Sequence, residues 1–337
     1  MTGVGYAAPG APDVRPGARY SDPKPQCVTC SVRTICGGCR HDDGCDWCYC
    51  DGLGCGSCGT KCRSHSSRDL WQADVGTLDL ELAIGEQSPI ALPPFVPSVK
   101  LRERMRGAFV PWTYTVTVSD LVRTDGTPRE VAYRVRDYFP EGSRLVLNFF
   151  CEDRFLEPIW TIGPSFWEGE WLDAFDAIVS VNYSLYADDA SFAIMTSQKQ
   201  AQMSAQEIHD AGHAVIPLLQ YVDEANLYEL LECYGSNAVH TVAVNMQVVA
   251  GEKLAFQKEN VRLMRIVAEQ TDWRVLAYGI ANRALLKELH EVFAGRLVTS
   301  NASAYFDVMR KPMPVAERRE RFVGEIRKYS LMTKGRG

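Results

Sequence analysis

From Arg144 to Asn301 the chain carries short β-branched runs: RLVLNFF (144–150), AIVSVNY (177–183), AVIPLLQY (214–221), HTVAVNM (240–246), RVLAYGI (274–280) and RLVTSN (296–301). Their starts lie 22 to 37 residues apart. Between them stand stretches with helical spacing, SQKQAQMSAQEIHDAG (197–212), NLYELLECYG (226–235), EKLAFQKENVRLMRIVAEQ (252–270) and NRALLKELHEVFAG (282–295). Several of these end at glycine, which suits a helix C-cap. Strands that are apolar on both faces and alternate with helices imply a parallel sheet covered by helices. Six such units, completed by an earlier hairpin or a divergent strand, predict an α/β chain of the (β/α)8-barrel type. An open doubly wound sheet is the alternative, but no Gly-rich phosphate loop follows the first run.

Upstream the pattern breaks down. Residues 1–26 are rich in Gly, Pro and Ala and read as a flexible leader. Residues 27–66 form a cysteine-rich module and 67–143 a connector. Within the connector, PIALPPFVPS is too rich in proline to be a continuous helix. TYTVTV (113–118) and VAYRVRD (131–137) flank the turn signal TDGTP, which predicts a β-hairpin. The barrel is then expected over 144–309, with a basic C-terminal helix or tail over 310–337.

The chain has twelve cysteines, and ten of them lie between Cys27 and Cys62. They include four C-x2-C pairs: Cys27/Cys30, Cys36/Cys39, Cys45/Cys48 and Cys55/Cys58. Two such pairs complete a tetrahedral zinc site. Pairing first with third and second with fourth leaves loops of fourteen and fifteen residues. That spacing predicts a cross-braced module with two zinc ions. Cys50, Cys62, His41 and His65 are further candidate ligands. An iron–sulfur cluster is the rival reading, with Cys55, Cys58 and Cys62 its most cluster-like run, and disulfides are the third. The first residues show neither the basic nor the apolar region of a secretory signal, so the expectation is a cytoplasmic chain with reduced thiols. No apolar run approaches the length of a membrane span.

Lys plus Arg number 36 and Asp plus Glu 42, a net charge of −6. From Arg310 onward, nine basic and three acidic residues give +6, leaving −12 for the rest. KLRERMR (100–106) is a second basic cluster. Both clusters suit solvated helix faces or phosphate contacts. Nucleic acid is therefore an expected partner through the C-terminal segment and the cysteine module, with a protein partner as the alternative.

Barrel enzymes place reactive groups at the carboxyl ends of strands. Reading each strand end gives Cys151, Glu152 and Asp153, then Asn182, Tyr183, Ser184, Asp188 and Asp189. Gln220, Tyr221, Asp223 and Glu224 follow, then Asn245, Gln247 and Tyr278, and finally Ser300, Asn301 and Ser303. Asp153, Asp188 and Asp223 are the candidate catalytic carboxylates. Glu152, Asn182, Tyr183, Ser184, Gln220, Asn245, Tyr278 and Asn301 are the candidate substrate-binding groups. His209 and His213, four apart, are a weak metal pair, and His240 and His290 read as surface or capping residues. Cys151 reads as a packed thiol.

NFFCEDRFLEPIW, DAIVSVNYSLYADD and AGHAVIPLLQYVDE resemble a family of uncharacterised proteins common in phages and mobile elements. Asn182-Tyr183-Ser184-Leu185-Tyr186 stands where that family shows Asp-Phe-Ser-x-Tyr. RVLAYGIANRALLKEL and RLVTSNASAY resemble the tRNA-guanine transglycosylase-like barrels and their phage DNA-modifying relatives. That resemblance implies base exchange or nucleobase modification, with a strand-end aspartate attacking the sugar. Asn301 occupies the aspartate's position, and an amide lacks the required charge. A non-catalytic barrel whose zinc module docks a protein partner is the alternative.

Overall fold

A computed structural model describes residues 80–84, 90–185, 191–235, 239–247, 253–280, 282–310 and 312–333. The leader and the whole cysteine module lie outside the described residues. The chain divides into two units. The first contains residues 80, 81 and the described part of Tyr183–Met203. There the Glu81 amide donates to Gln202 Oε1 at 2.9 Å, and buried Lys199 reaches Glu81 at 3.7 Å.

The second unit, Leu82–Asn182 with Ser204 onward, contains eight parallel strands. They are β1 (Phe95–Val99), β2 (Thr113–Thr117), β3 (Arg144–Asn148), β4 (Ala177–Val179), β5 (Val215–Ile216), β6 (Thr241–Asn245), β7 (Arg274–Tyr278) and β8 (Leu297–Asn301). The order β5-β4-β3-β2-β1-β8-β7-β6 is closed by the Leu219 amide on Ala243 O (2.8 Å) and the Ala243 amide on Pro217 O (2.9 Å). The architecture is the (β/α)8 barrel that the alternation of runs and helices predicts.

Eight α-helices occur among the described residues: α1 (Glu130–Tyr133), α2 (Glu157–Ile162), α3 (Ser191–Asp210), α4 (Glu224–Gly235), α5 (Lys253–Gln270), α6 (Arg283–Phe293), α7 (Ser303–Met309) and α8 (Val315–Thr333). The first two barrel strands lie earlier than expected. β1 comes from the proline-rich FVPSV, where Pro97 removes a ladder donor yet still pairs in register with Asn301. β2 is the expected strand TYTVT, but no hairpin forms. Its neighbours are β1 and β3, and residues 130–133 and 135–138 are helical. The turn itself is real: Asp125 Oδ1 accepts from the Thr127 amide at 2.9 Å, and Val122 bridges Pro128. β2 is buried on both faces between two strands, which a lone hairpin could not provide.

The C-terminal segment is a packed helix rather than a tail. β1 and β2 are joined by a short 3-10 turn, Glu103–Met105, and α8 packs on their outer face. Phe322 of α8 stacks on the outward-facing Tyr114 (6.1 Å) and meets Phe109 edge-on (5.7 Å), while Tyr329 stacks on Phe95 at 4.9 Å. Burying a phenyl ring this way stabilises by about 2–3 kcal/mol.

The barrel interior is layered by the period-two alternation of its strands. Val96, Val146, Val179, Ile216, Leu276 and Val298 belong to its apolar cluster. Towards the carboxyl ends the fill turns polar: Thr115 Oγ1 and Ser300 Oγ share a buried hydrogen bond of 3.0 Å. Tyr278 and Phe150 stack across this end at 4.4 Å.

Candidate active site

Residues at or beyond the carboxyl ends of β1, β2, β7 and β8 interact electrostatically with one acid, Asp120. Asp120 ends the 3-10 turn Val118–Asp120 that follows β2 directly. Its Oδ2 is buried and has no hydrogen-bond partner among the described residues. Burial pushes its carboxyl above the ordinary carboxylate range, although Lys100, Arg102 and Arg129 pull it down. Desolvation wins because the charged form loses water that no donor replaces.

Two tyrosine hydroxyls lie within electrostatic reach of this acid, and a thiol lies beside one of them. The Tyr278 hydroxyl, raised by burial and by nearby Cys151 and Asp120, is held by Ser98 and Thr117. Its bond to Ser98 Oγ is 3.0 Å. The Tyr305 hydroxyl is pushed up to about 12 by burial, with Arg102 and Arg104 opposing and Asp120 adding to the rise. The Cys151 thiol is likewise pushed up to about 12 by burial, despite its hydrogen bond with Ser119. It therefore stays protonated and is no nucleophile at neutral pH. An elevated carboxyl among tyrosine hydroxyls and cations is suited to passing a proton to or from an anionic ligand.

Gly279, immediately after β7, keeps this end compact. It takes φ +92°, and a Cβ there would lie 2.3 Å from Gln247 Cγ. Only glycine meets both demands.

The residues expected from sequence are dispersed. Asn182 and Asn245 do meet, Nδ2 of Asn245 approaching Oδ1 of Asn182 at 3.5 Å. Asn245 Oδ1 is engaged by the Gln247 amide at 2.9 Å. Asn301 is buried with its whole carboxamide committed to backbone: Nδ2 donates to Ile280 O (3.1 Å) and Oδ1 accepts from the Ser303 amide (3.0 Å). It braces the β8–α7 turn. Asp223 caps α4, its Oδ1 accepting from the Asn226 amide at 2.9 Å. Asp153 opens the 3-10 turn Asp153–Phe155, and exposed Glu152 pairs with Arg154 at 2.9 Å. Gln220 is half-buried beyond β5. Tyr183 and Ser184 belong to the first unit, and Asp188 and Asp189 lie outside the described residues.

The histidines do not converge. His213 Nε2 lies 2.9 Å from Trp167 O, and His209 lies 3.4 Å from Asp210. Among the described residues no group of three His, Cys, Asp or Glu could hold a metal. Cys27, Cys30, Cys36, Cys39, Cys45, Cys48, Cys50, Cys55, Cys58, Cys62, His41 and His65 lie outside them. His290 is buried, not at the surface, and neither ring nitrogen has a partner among the described residues.

Asp120 is hidden in the sequence because TYTVTV with the TDGTP turn carries a hairpin signal, which does not mark the end of the run as a barrel mouth. KLRERMR was noticed as charge only, without its place after β1.

No protein-family model matches the sequence, and no curated protein matches it. Solved structures similar to this chain include the YdjI aldolase from Escherichia coli K12, at 11% identity and a TM-score of 0.39, covering 78% of this chain and 93% of that one. Another is the orotidine 5'-monophosphate decarboxylase of Plasmodium berghei, also at 11% identity, with a TM-score of 0.38 and coverage of 66% and 67%. No helix among the described residues is long and apolar enough to cross a membrane.

Proposed function

We propose that this chain is a barrel enzyme that performs general acid–base chemistry on an anionic substrate at the carboxyl-terminal mouth. Asp120 is the proton-transfer group, the Tyr278 and Tyr305 hydroxyls are hydrogen-bond donors, and Lys100 and Arg102 attract the substrate. The observation that carries this reading is Asp120 itself: a raised carboxyl with an unpartnered buried oxygen, placed where barrel enzymes keep their chemistry. A nucleic acid or nucleobase is the substrate class that the basic loop and the resemblance to transglycosylase-like barrels favour. A nucleophile at the end of β8 has no support, because Asn301 is an amide already committed to backbone.

The test incubates the full chain with tRNA and with DNA oligonucleotides, then digests them and measures nucleoside composition by mass spectrometry. Base loss or exchange is expected with the wild type and not with Asp120→Asn. Undiminished turnover by the Asp120→Asn chain would remove Asp120 from the mechanism. The engaged amides of Asn182, Asn245 and Asn301 favour a second reading, a barrel that binds without reacting; nucleic acid bound but chemically unchanged would support it.

A further inference from the structure

The loop after β1 presents cations whose one electrostatic acid partner among the described residues is Asp120, which acts on Lys100 and Arg102. Arg102 and Arg104 are exposed and form no ion pair among the described residues, and Lys100 is half-buried beside them. The neighbouring acids are engaged: Glu103 accepts from the Tyr138 hydroxyl at 2.6 Å and pairs with Arg106 at 3.5 Å, and Asp307 pairs with Arg310 at 3.8 Å. The loop is fixed by Arg318 of α8, whose guanidinium donates to Arg104 O. α7, which packs against β1, exposes a large aromatic. Phe306 is 43% accessible and sits edge-on to buried Tyr305, centroids 5.4 Å apart. Tyr305 in turn lies within electrostatic reach of Arg102, Arg104 and Asp120.

Cations that follow a backbone, together with an aromatic face that accepts an unpaired base, are the two components of single-strand recognition. A small phosphate ligand would not require the aromatic, and a duplex could not offer it a base. We propose that Lys100, Arg102, Arg104 and Phe306 form a docking track for single-stranded nucleic acid leading to Asp120. This inference rests on the reading of the mouth as the reactive end.

The test is fluorescence anisotropy of the full chain with a labelled twenty-nucleotide oligothymidylate and with a duplex of equal length, across a salt series. The wild type is expected to prefer the single strand, with log affinity falling linearly against log salt. Arg102→Ala with Arg104→Ala should lower the slope by about 1.4, at about 0.7 per lost single-strand phosphate contact. Phe306→Ala should weaken binding roughly 5- to 150-fold, as loss of one stacked base implies, with the slope unchanged. Arg327→Ala, an exposed cation far along α8, is the charge control, and thermal melting shows that each variant is folded. No binding at low salt, equal affinity for the duplex, or insensitivity to the Arg102/Arg104 and Phe306 changes would overturn the track. The Asp120→Asn chain should bind at least as tightly as the wild type. Failure of the track would leave the titration of Asp120 untouched, and an ordinary Asp120 would leave the binding result untouched.

Discussion

The Tyr278 hydroxyl meets Ser98 Oγ at 3.0 Å, tying β7 to β1 over the intervening β8. The same ring stacks on Phe150 of the β3 loop at 4.4 Å. One side chain thus joins three parts of the barrel wall, within electrostatic reach of Asp120. Tyr278→Phe keeps the stack and removes the bond, and is expected to cost about 1 kcal/mol. Phe150→Ala opens a cavity and should cost about 3–5 kcal/mol. Chemical denaturation checks both; a Tyr278→Phe chain as stable as the wild type would show that the hydroxyl bond contributes nothing.

Asp120 lies above its ordinary carboxylate value of 3.8 when folded. The folded state therefore holds its proton more tightly than the unfolded state. Ionisation disfavours the native fold above the folded value, and below 3.8 both states are protonated and the penalty vanishes. Asp120→Asn should raise the melting temperature at neutral pH, with an advantage that fades as pH falls towards 3.8. A stabilising change at the reactive group is the expected mark of a site that sacrifices stability for chemistry. Loss of stability at neutral pH would contradict it.

His290 has the opposite dependence. Burial lowers it from 6.5 to about 4, so the unfolded chain takes up a proton that the folded chain refuses. Stability should decline as pH drops from 6.5 to 4 and level off below. His290→Leu removes that component, so the variant should gain on the wild type across this window in pH-dependent melting. Parallel melting curves would show that His290 is solvated.

Phe322 is fully buried on the outer face of β1 and β2. Phe322→Ala is expected to destabilise by about 3–5 kcal/mol, and removing α8 should prevent stable folding. A truncated chain with an unchanged melting temperature would make α8 an appendage.

Much of the barrel could be read from sequence where each strand carries its own signal. The runs from RLVLN to RLVTSN are apolar on both faces and flanked by capped helices, and all six become strands. β1 is hard to read because Pro97 argues against a strand, and its register comes from two partners distant in sequence, β2 and β8. β2 was recognised as a strand, but the TDGTP turn is a local signal and its true partners lie elsewhere in the chain. Polarity at a strand end cannot distinguish Asn301, which braces a turn, from Asp120, whose Oδ2 has no partner among the described residues. That distinction depends on burial and on partners distant in sequence.

The cysteine spacing predicts its own outcome. Elemental analysis of the full chain should find about two zinc ions, and a chelator should release them with proton uptake. Iron with visible absorption would replace zinc by a cluster, and neither metal would leave disulfides.

The most direct test of the central claim is the titration of the Asp120 carboxyl by carbon-13 NMR on the intact chain, assigned with Asp120→Asn. A midpoint clearly above 3.8, the ordinary value for this side chain, is expected. A midpoint at or below it would mean that Lys100, Arg102 and Arg129 hold a simple carboxylate there, and the proton-transfer role would fall.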